Sequence, residues 1–175
     1  MTADIEYRYE KYAVIAVARH LREQRFEVGI SVPGPAQELG RRTELGGLGI
    51  PSFSTSDMRN REHRYRVYYD TPGNIDLVAR KSDEVWVMEA KGLIARGNAR
   101  AAVAQAIGQI VLYMTPSEPT LRYAIILPED ERFTRVLKGA ASNNPVLLRD
   151  DFRIFIVSKH GKVQCKSLTQ MHELL

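Results

Sequence analysis

The sequence predicts an α/β protein in which a mixed β-sheet is flanked by helices. Apolar residues recur at helical spacing near the N-terminus and in an alanine-rich segment, whereas other stretches alternate or run continuously apolar, as strands do. Because helices and strands alternate along the chain, the sequence predicts the α/β class. The 175 residues, 44% of them hydrophobic, suffice for one core. We therefore expect a single domain over residues 1–175.

The elements can be predicted in order. A long amphipathic helix at residues 5–24 is followed by a strand at 25–32. Residues 33–62 are rich in Gly, Pro, Ser and Arg and lack clear periodicity, which predicts a loop or flexible insertion. A meander of three strands is predicted at 63–71, 74–80 and 84–92. The remaining predictions are a helix at 98–114, a strand at 121–128, a helix at 129–141 and a strand pair within 152–168.

Charge and cysteine content limit the classes of protein and of site. The formal net charge of +4 and the pI near 9.3 favour approach to polyanions without identifying a partner. The single cysteine, Cys165, excludes an internal disulfide framework, and no His or Cys spacing suggests structural zinc, so a metal would be bound by oxygen atoms. The polar N-terminal sequence and the lack of a long apolar run predict a cytoplasmic protein without secretory signal or membrane span.

Three charged side chains, Asp76, Glu89 and Lys91, stand where strand packing favours apolar residues. Because side chains alternate along a strand, Glu89 and Lys91 share one face, roughly 7 Å apart. Asp76 belongs to the preceding strand, and an antiparallel neighbour is only about 4.8 Å away, so its carboxylate can reach Glu89. Adjacent carboxylates are costly without a cation, and Mg²⁺ prefers carboxylate oxygens and water. The pair predicts a metal site, where Lys91 can orient or help deprotonate a water and stabilise negative charge on a phosphate.

The pattern of Asp76 followed, after twelve intervening residues, by Glu89-Ala90-Lys91 resembles the PD-(D/E)xK nuclease superfamily. This superfamily includes restriction endonucleases and Holliday-junction resolvases, so the resemblance implies a restriction-endonuclease-like αβββαβ core. It further implies that Asp76 and Glu89 bind Mg²⁺ or Mn²⁺, that the Ala90 carbonyl is a candidate further ligand, and that Lys91 is catalytic. One residue departs from the motif, since Ile75 stands where the family has proline.

The helix predicted at residues 98–114 has an apolar face and a polar stripe. The apolar face consists of Val103, Ile107, Val111 and Met114. The polar stripe consists of Gln105, Gln109 and Tyr113. Gln109 and Tyr113 are similar to the Q-x-x-x-Y element of resolvase-like and exonuclease-like members of the superfamily. This similarity implies that Gln109 faces the active site and that Tyr113 supports phosphate or metal-water contacts. The alternative is a half-exposed helix face without function.

Glu10 lies at the N-terminal end of the buried stripe of the first helix, in register with Val14, Val17 and Leu21. In several branches of the superfamily a first-helix glutamate completes the metal site. The resemblance implies this role for Glu10, with Glu6 as the second choice. The alternative is that the helix macrodipole favours a carboxylate at this position.

Arginines flank the predicted site in sequence. Arg64 and Arg66 precede the second strand of the meander, while Arg96 and Arg100 follow the E-x-K strand. Such side chains can hold a phosphate backbone on either side of a cleavage position, although arginines in loops also occur simply as solvated residues. We expect these four arginines and Tyr113 to contact nucleic acid.

The function expected from these features is Mg²⁺- or Mn²⁺-dependent hydrolysis of DNA phosphodiester bonds, by an endodeoxyribonuclease of the restriction, repair or recombination type. Two alternatives remain open. One is a ribonuclease using the same metal site, and the other is a non-catalytic nucleic-acid-binding subunit of a larger complex. A homodimer is a further expectation, because cutting both strands of a duplex usually takes two active sites.

Overall fold

Helices and strands follow each other along the chain in nearly the predicted order. The structure, a computed structural model, describes residues 10–31, 52–53, 75–92, 98–114, 121–141 and 148–172. The elements are α1 (Glu10–Glu23), β1 (Glu27–Ser31), β2 (Ser52–Phe53), β3 (Leu77–Lys81), β4 (Glu84–Ala90), α2 (Ala99–Tyr113), β5 (Leu121–Pro128), α3 (Glu131–Ala141), β6 (Phe152–Val157), β7 (Val163–Lys166) and α4 (Leu168–His172). Over these ranges, none of the helices has both the length and the apolar content needed to cross a bilayer.

The described strands form one seven-stranded sheet in the order β2-β1-β3-β4-β5-β6-β7. β1, β3 and β4 are antiparallel neighbours, whereas β4, β5 and β6 run parallel, and β7 returns antiparallel to β6. Parallel neighbours need a crossover connection, and α2 and α3 lie in the two connections concerned. The predicted α/β class, with a mixed sheet flanked by helices, is therefore confirmed.

Helices cover both faces of the sheet. On one face α1 buries Val17 and Leu21 in a cluster with Met88 of β4. On the other face α2 and α3 bury their apolar residues in a cluster that contains Val87. Neighbouring residues of β4 thus belong to opposite layers, as the alternation of side chains along a strand requires. The same alternation places Glu89 on the α2 side of the sheet.

The structure departs from the predicted elements in the meander, in residues 33–62 and on one face of α2. The strand predicted at residues 63–71 lies outside the described residues. Its predicted place in the meander beside β3 is wrong, because β3 pairs with β1 and β4. Residues 33–62, predicted as a loop or flexible insertion, also lie outside the described residues apart from β2, which pairs with β1. Val111, predicted to face the core, is 41% exposed. The buried stripe of α2 instead runs through Ala99, Val103, Ala106 and Ile110, and Val111 points about 100° away from Ile110 on a helix.

Candidate metal centre

Asp76 and Glu89 lie opposite each other where β3 begins and β4 ends. The ladder between these antiparallel strands pairs Leu77 with Met88, and one further step in the same register sets Asp76 against Glu89. A two-residue turn joins the strands, so the register is determined by the turn and by the apolar alternation on each side of it. The hairpin therefore brings together the two carboxylates that the sequence predicted to converge.

Both carboxylates are buried. The exposed fraction is 8% for Asp76 and 2% for Glu89, and within the described residues they are the only charged or polar side chains in the buried class. The backbone amide of Ala90 donates a hydrogen bond of 2.8 Å to Asp76 Oδ2. A buried carboxylate is tolerated only where hydrogen bonds or positive charges replace water. The amide of Ala90 thus fixes the position of Asp76 beside Glu89.

Lys91 supplies the positive charge of the cluster. Its Nζ lies 2.5 Å from Glu89 Oε1, and its side chain is only 13% exposed. Its backbone amide also donates to the carbonyl of Ile126 on β5, at 3.0 Å. The backbone of Lys91 is therefore held against β5, and its side chain extends from a defined position on the sheet. The second carboxylate oxygen, Glu89 Oε2, is buried and has no hydrogen-bond partner among the described residues.

The electrostatic balance at Glu89 favours the neutral acid. The pKa of Glu89 is raised to about 8, chiefly by burial and then by the negative charges of Asp76 and Glu10, while Lys91 acts in the opposite direction. The ammonium group of Lys91 therefore does not offset the effects of burial and of the neighbouring negative charges on the pKa of Glu89. A cation placed against the carboxylates would reverse this balance.

The donor set fits a hard divalent cation. Mg²⁺ and Mn²⁺ bind carboxylate and carbonyl oxygens, and Glu89 Oε2 is a buried oxygen without a partner among the described residues. Asp76 stands beside it, and the sequence prediction adds the Ala90 carbonyl. No three His, Cys, Asp or Glu side chains are gathered at metal-binding distance in the described ranges. Two carboxylates, with backbone oxygen and water, are therefore the ligands that this geometry offers.

Glu10 is the first residue of α1 and is half-buried. The residues predicted to share its stripe, Val14, Val17 and Leu21, are all buried, which confirms the register of the helix. Glu10 lies near enough for its charge to raise the pKa of Glu89. The structure thus relates Glu10 to the centre electrostatically, and its role as a metal ligand stays a prediction.

Gln109 is half-buried on α2, and its carbonyl oxygen Oε1 is buried without a hydrogen-bond partner among the described residues. By contrast, Gln105 of the same predicted stripe is exposed. Gln109 follows Ala99, the first residue of α2, by ten residues. The two residues are therefore about 15 Å apart along the helix axis. The unpartnered oxygen distinguishes Gln109 from an ordinary surface residue, and its participation in the centre stays a prediction.

Of the predicted nucleic-acid contacts, only Arg100 has a described side chain. It is exposed in the first turn of α2. Its backbone amide donates to Asn98 Oδ1, which caps the helix at 2.9 Å. Arg64, Arg66 and Arg96 lie outside the described residues, and so does the side chain of Tyr113.

One contact of the centre was not predicted from the sequence. Ala90 was singled out for its carbonyl, but its amide is the group that holds Asp76. A backbone amide carries no residue-specific signal. Only the strand register, which sets residue 89 opposite residue 76 and residue 90 one step further along, could have indicated it.

Comparison of the chain with protein-family models, with curated proteins and with solved structures gave no match. The sheet and the carboxylate–lysine cluster are therefore the features of this chain that bear on its class.

Proposed function

We propose that this protein is a divalent-cation-dependent nuclease that hydrolyses DNA phosphodiester bonds. The observation that carries the proposal is the buried cluster at the end of the β3–β4 hairpin, in which Glu89 keeps one oxygen without a partner among the described residues while Lys91 pairs with the other. Burial of two acids lowers stability, and a cation-binding role accounts for that cost.

The arrangement of elements supports a restriction-endonuclease-like core. The order α1, β1, β3, β4, α2, β5 corresponds to αβββαβ, with β2 as an addition between β1 and β3. In the structure β1, β3 and β4 are antiparallel neighbours and β5 runs parallel to β4. The order of elements therefore supports the proposal alongside the motif.

In the proposed mechanism Asp76, Glu89 and the Ala90 carbonyl would hold Mg²⁺ or Mn²⁺, and Glu10 would contribute negative charge. The cation, when bound, polarises a phosphate oxygen and lowers the pKa of a water. Lys91 keeps Glu89 oriented through its hydrogen bond and presents positive charge to the phosphate as negative charge develops there. Gln109 orients groups at the same centre, and Arg64, Arg66, Arg96, Arg100 and Tyr113 hold the phosphate backbone.

The proposal is tested by cleavage assays on supercoiled, linear, single-stranded and branched DNA, and on structured RNA, with Mg²⁺ or Mn²⁺. Cleavage by the native protein should be lost in Lys91→Ala and in Asp76→Asn. Two matched controls, Lys81→Ala and Asp83→Ala, change the same residue types at the other end of the hairpin and should cleave normally. Cleavage that survives both centre substitutions would reject the mechanism.

The substrate panel and calorimetry separate the alternatives. Cleavage of RNA alone, lost in the same variants, identifies a ribonuclease with this centre. Salt-sensitive binding of DNA without Mg²⁺ or Mn²⁺ binding identifies a non-catalytic subunit. If calorimetry detects metal binding by the native protein, and Asp76→Asn and Glu89→Gln both weaken that binding, the proposed centre is supported.

A further inference from the structure

A cleft lies between α1 and the turn that joins β6 to β7. Its volume is about 660 Å³. The helix lines it with one face, from Tyr12 through Arg19 to Glu23. The turn lines it with His160 and Lys162. These two walls come from distant parts of the chain, and the predicted site includes neither of them.

Hydrogen bonds hold the turn in place. The Ser158 amide donates to the Lys162 carbonyl at 2.9 Å, and Ser158 Oγ accepts from the Lys162 amide at 3.1 Å. Gly161 has a φ of 78°, which a residue without Cβ adopts readily. Tyr12 Oη donates to the Lys159 carbonyl at 3.4 Å and thereby connects the turn to α1. The basic side chain of Lys162 is therefore presented from an ordered backbone.

The cleft opens at the same end of the strands as the candidate metal centre, on the face of the sheet that α1 covers, whereas Glu89 lies on the α2 side. Ala90 pairs with Ile126, and Ile126 pairs with Phe155 in the parallel ladders. Phe155 thus lies level with Ala90, about 10 Å away across two strand spacings, and the turn follows shortly after it. On the helix side, Tyr12 is two residues beyond Glu10, whose charge acts on the centre.

Positive charge predominates along the cleft. Arg19 and Lys162 are cationic, and the two histidines in the lining, His20 and His160, can donate hydrogen bonds. Of the described residues that line it, Glu23 alone is acidic, and it lies at the C-terminal end of α1. From Tyr12 to Glu23 the helix extends about 16 Å. That length accommodates a few nucleotides of one strand.

We propose that this cleft binds the sugar–phosphate backbone of one nucleic-acid strand that passes from the metal centre around the end of the sheet. The inference rests on the proposed function, which supplies the reason for a strand at that end. Arg19 and Lys162 contact phosphates from opposite walls, so the strand lies between α1 and the turn. The contacts are to the backbone and therefore do not depend on base sequence.

The test measures binding without turnover. A fluorescently labelled single-stranded oligonucleotide is titrated with protein in EDTA, and its anisotropy gives the affinity at several salt concentrations. The double variant Arg19→Ala/Lys162→Ala should bind roughly tenfold more weakly or worse, and the slope of log affinity against log salt should decrease by about 1.4, since each phosphate contact to a single strand contributes about 0.7. Thermal unfolding of the variant confirms that it is folded.

The control is Arg80→Ala/Lys81→Ala, which removes two positive charges at the end of β3 from residues that do not line the cleft. It should leave the affinity and the salt slope within twofold of native. Equal weakening in both double variants, or native binding by the cleft variant, overturns the inference. Displacement of the oligonucleotide by poly-glutamate as effectively as by unlabelled DNA also overturns it, because the occupant would then be an acidic polypeptide.

Failure of the inference and failure of the proposed function give different results. If the cleft variant cleaves and binds nucleic acid as the native protein does, the cleft proposal is rejected and the nuclease proposal stands. If the cleft variant binds the oligonucleotide more weakly than the native protein does, and the native protein cleaves no nucleic acid, the cleft proposal is supported and the nuclease proposal is rejected.

Discussion

Lys91 Nζ lies 2.5 Å from Glu89 Oε1, yet the pKa of Glu89 is raised to about 8. Burial is the largest cause, and the charge of Asp76 is the next. An ion pair at this distance would ordinarily hold a carboxyl in its charged form. The centre thus contains more negative charge than its lysine offsets, which is the condition that a bound divalent cation would relieve.

Glu89 is expected to lower the stability of the metal-free protein as the pH rises. Its ordinary pKa of 4.5 in the unfolded chain lies below the folded value of about 8. The folded state therefore binds the extra proton between these values, and the free energy of unfolding decreases from pH 4.5 to pH 8 by on the order of a few kcal/mol. Glu89→Gln should remove this decrease and be the more stable protein at pH 8.

Urea unfolding in EDTA at pH 5, 6.5 and 8 measures this effect. Glu84→Gln, on the same strand, is the control and should follow the native pH dependence. A Glu89→Gln variant that loses stability between pH 5 and 8 as steeply as the native protein contradicts the prediction. Glu89→Gln should also lose metal binding, so stability and function are expected to change in opposite directions.

Two substitutions of Asp76 should separate its charge from its hydrogen bond. Asp76→Asn keeps an oxygen that can accept from the Ala90 amide, whereas Asp76→Ala leaves this buried amide without its partner. An unsatisfied buried group costs about 1–3 kcal/mol. The alanine variant should therefore be less stable than the asparagine variant by that amount, as measured by urea unfolding, while both lose cleavage. Equal stability of the two variants would show that the amide has another partner.

Gln109→Leu should lower cleavage without lowering stability. The substitution preserves size approximately and removes a carbonyl oxygen that is buried without a partner among the described residues, so the folded state loses no hydrogen bond through that oxygen. If the oxygen serves the metal centre, activity should decrease about 10- to 100-fold. Gln105→Leu, four residues earlier and exposed, is the control. Equal activity in both variants would indicate that Gln109 has no part in the centre.

Two glycine substitutions are expected to have opposite effects. Gly108 is exposed in the interior of α2, and an added Cβ would have no atom within 4 Å. Gly108→Ala should therefore stabilise the protein by about 0.5–1 kcal/mol. Gly161→Ala should destabilise it by about 1 kcal/mol or more, because its φ is 78° and its Cβ would lie 3.4 Å from Tyr12 Oη. Thermal unfolding measures both, and a shared sign would contradict the prediction.

Much of the local structure was predictable because it depends on periodicity. The strand at residues 121–128 was predicted with the bounds that β5 has, since a continuous apolar run marks a buried parallel strand. The opposite faces of Val87 and Met88 followed from strand alternation. Val111 was misassigned because an apolar residue can occupy the exposed face of a helix without disturbing the periodic pattern.

The sequence by itself determined the β3–β4 hairpin and, through it, the meeting of Asp76, Glu89 and Lys91, because a short turn and alternating residues set a strand register. Only the tertiary structure decided how deeply Glu89 is buried and which amide holds Asp76. It alone also formed the cleft, since Arg19 and Lys162 are separated by most of the chain. Periodicity describes a residue's neighbours along one element, whereas burial and long-range contacts depend on which elements pack against it.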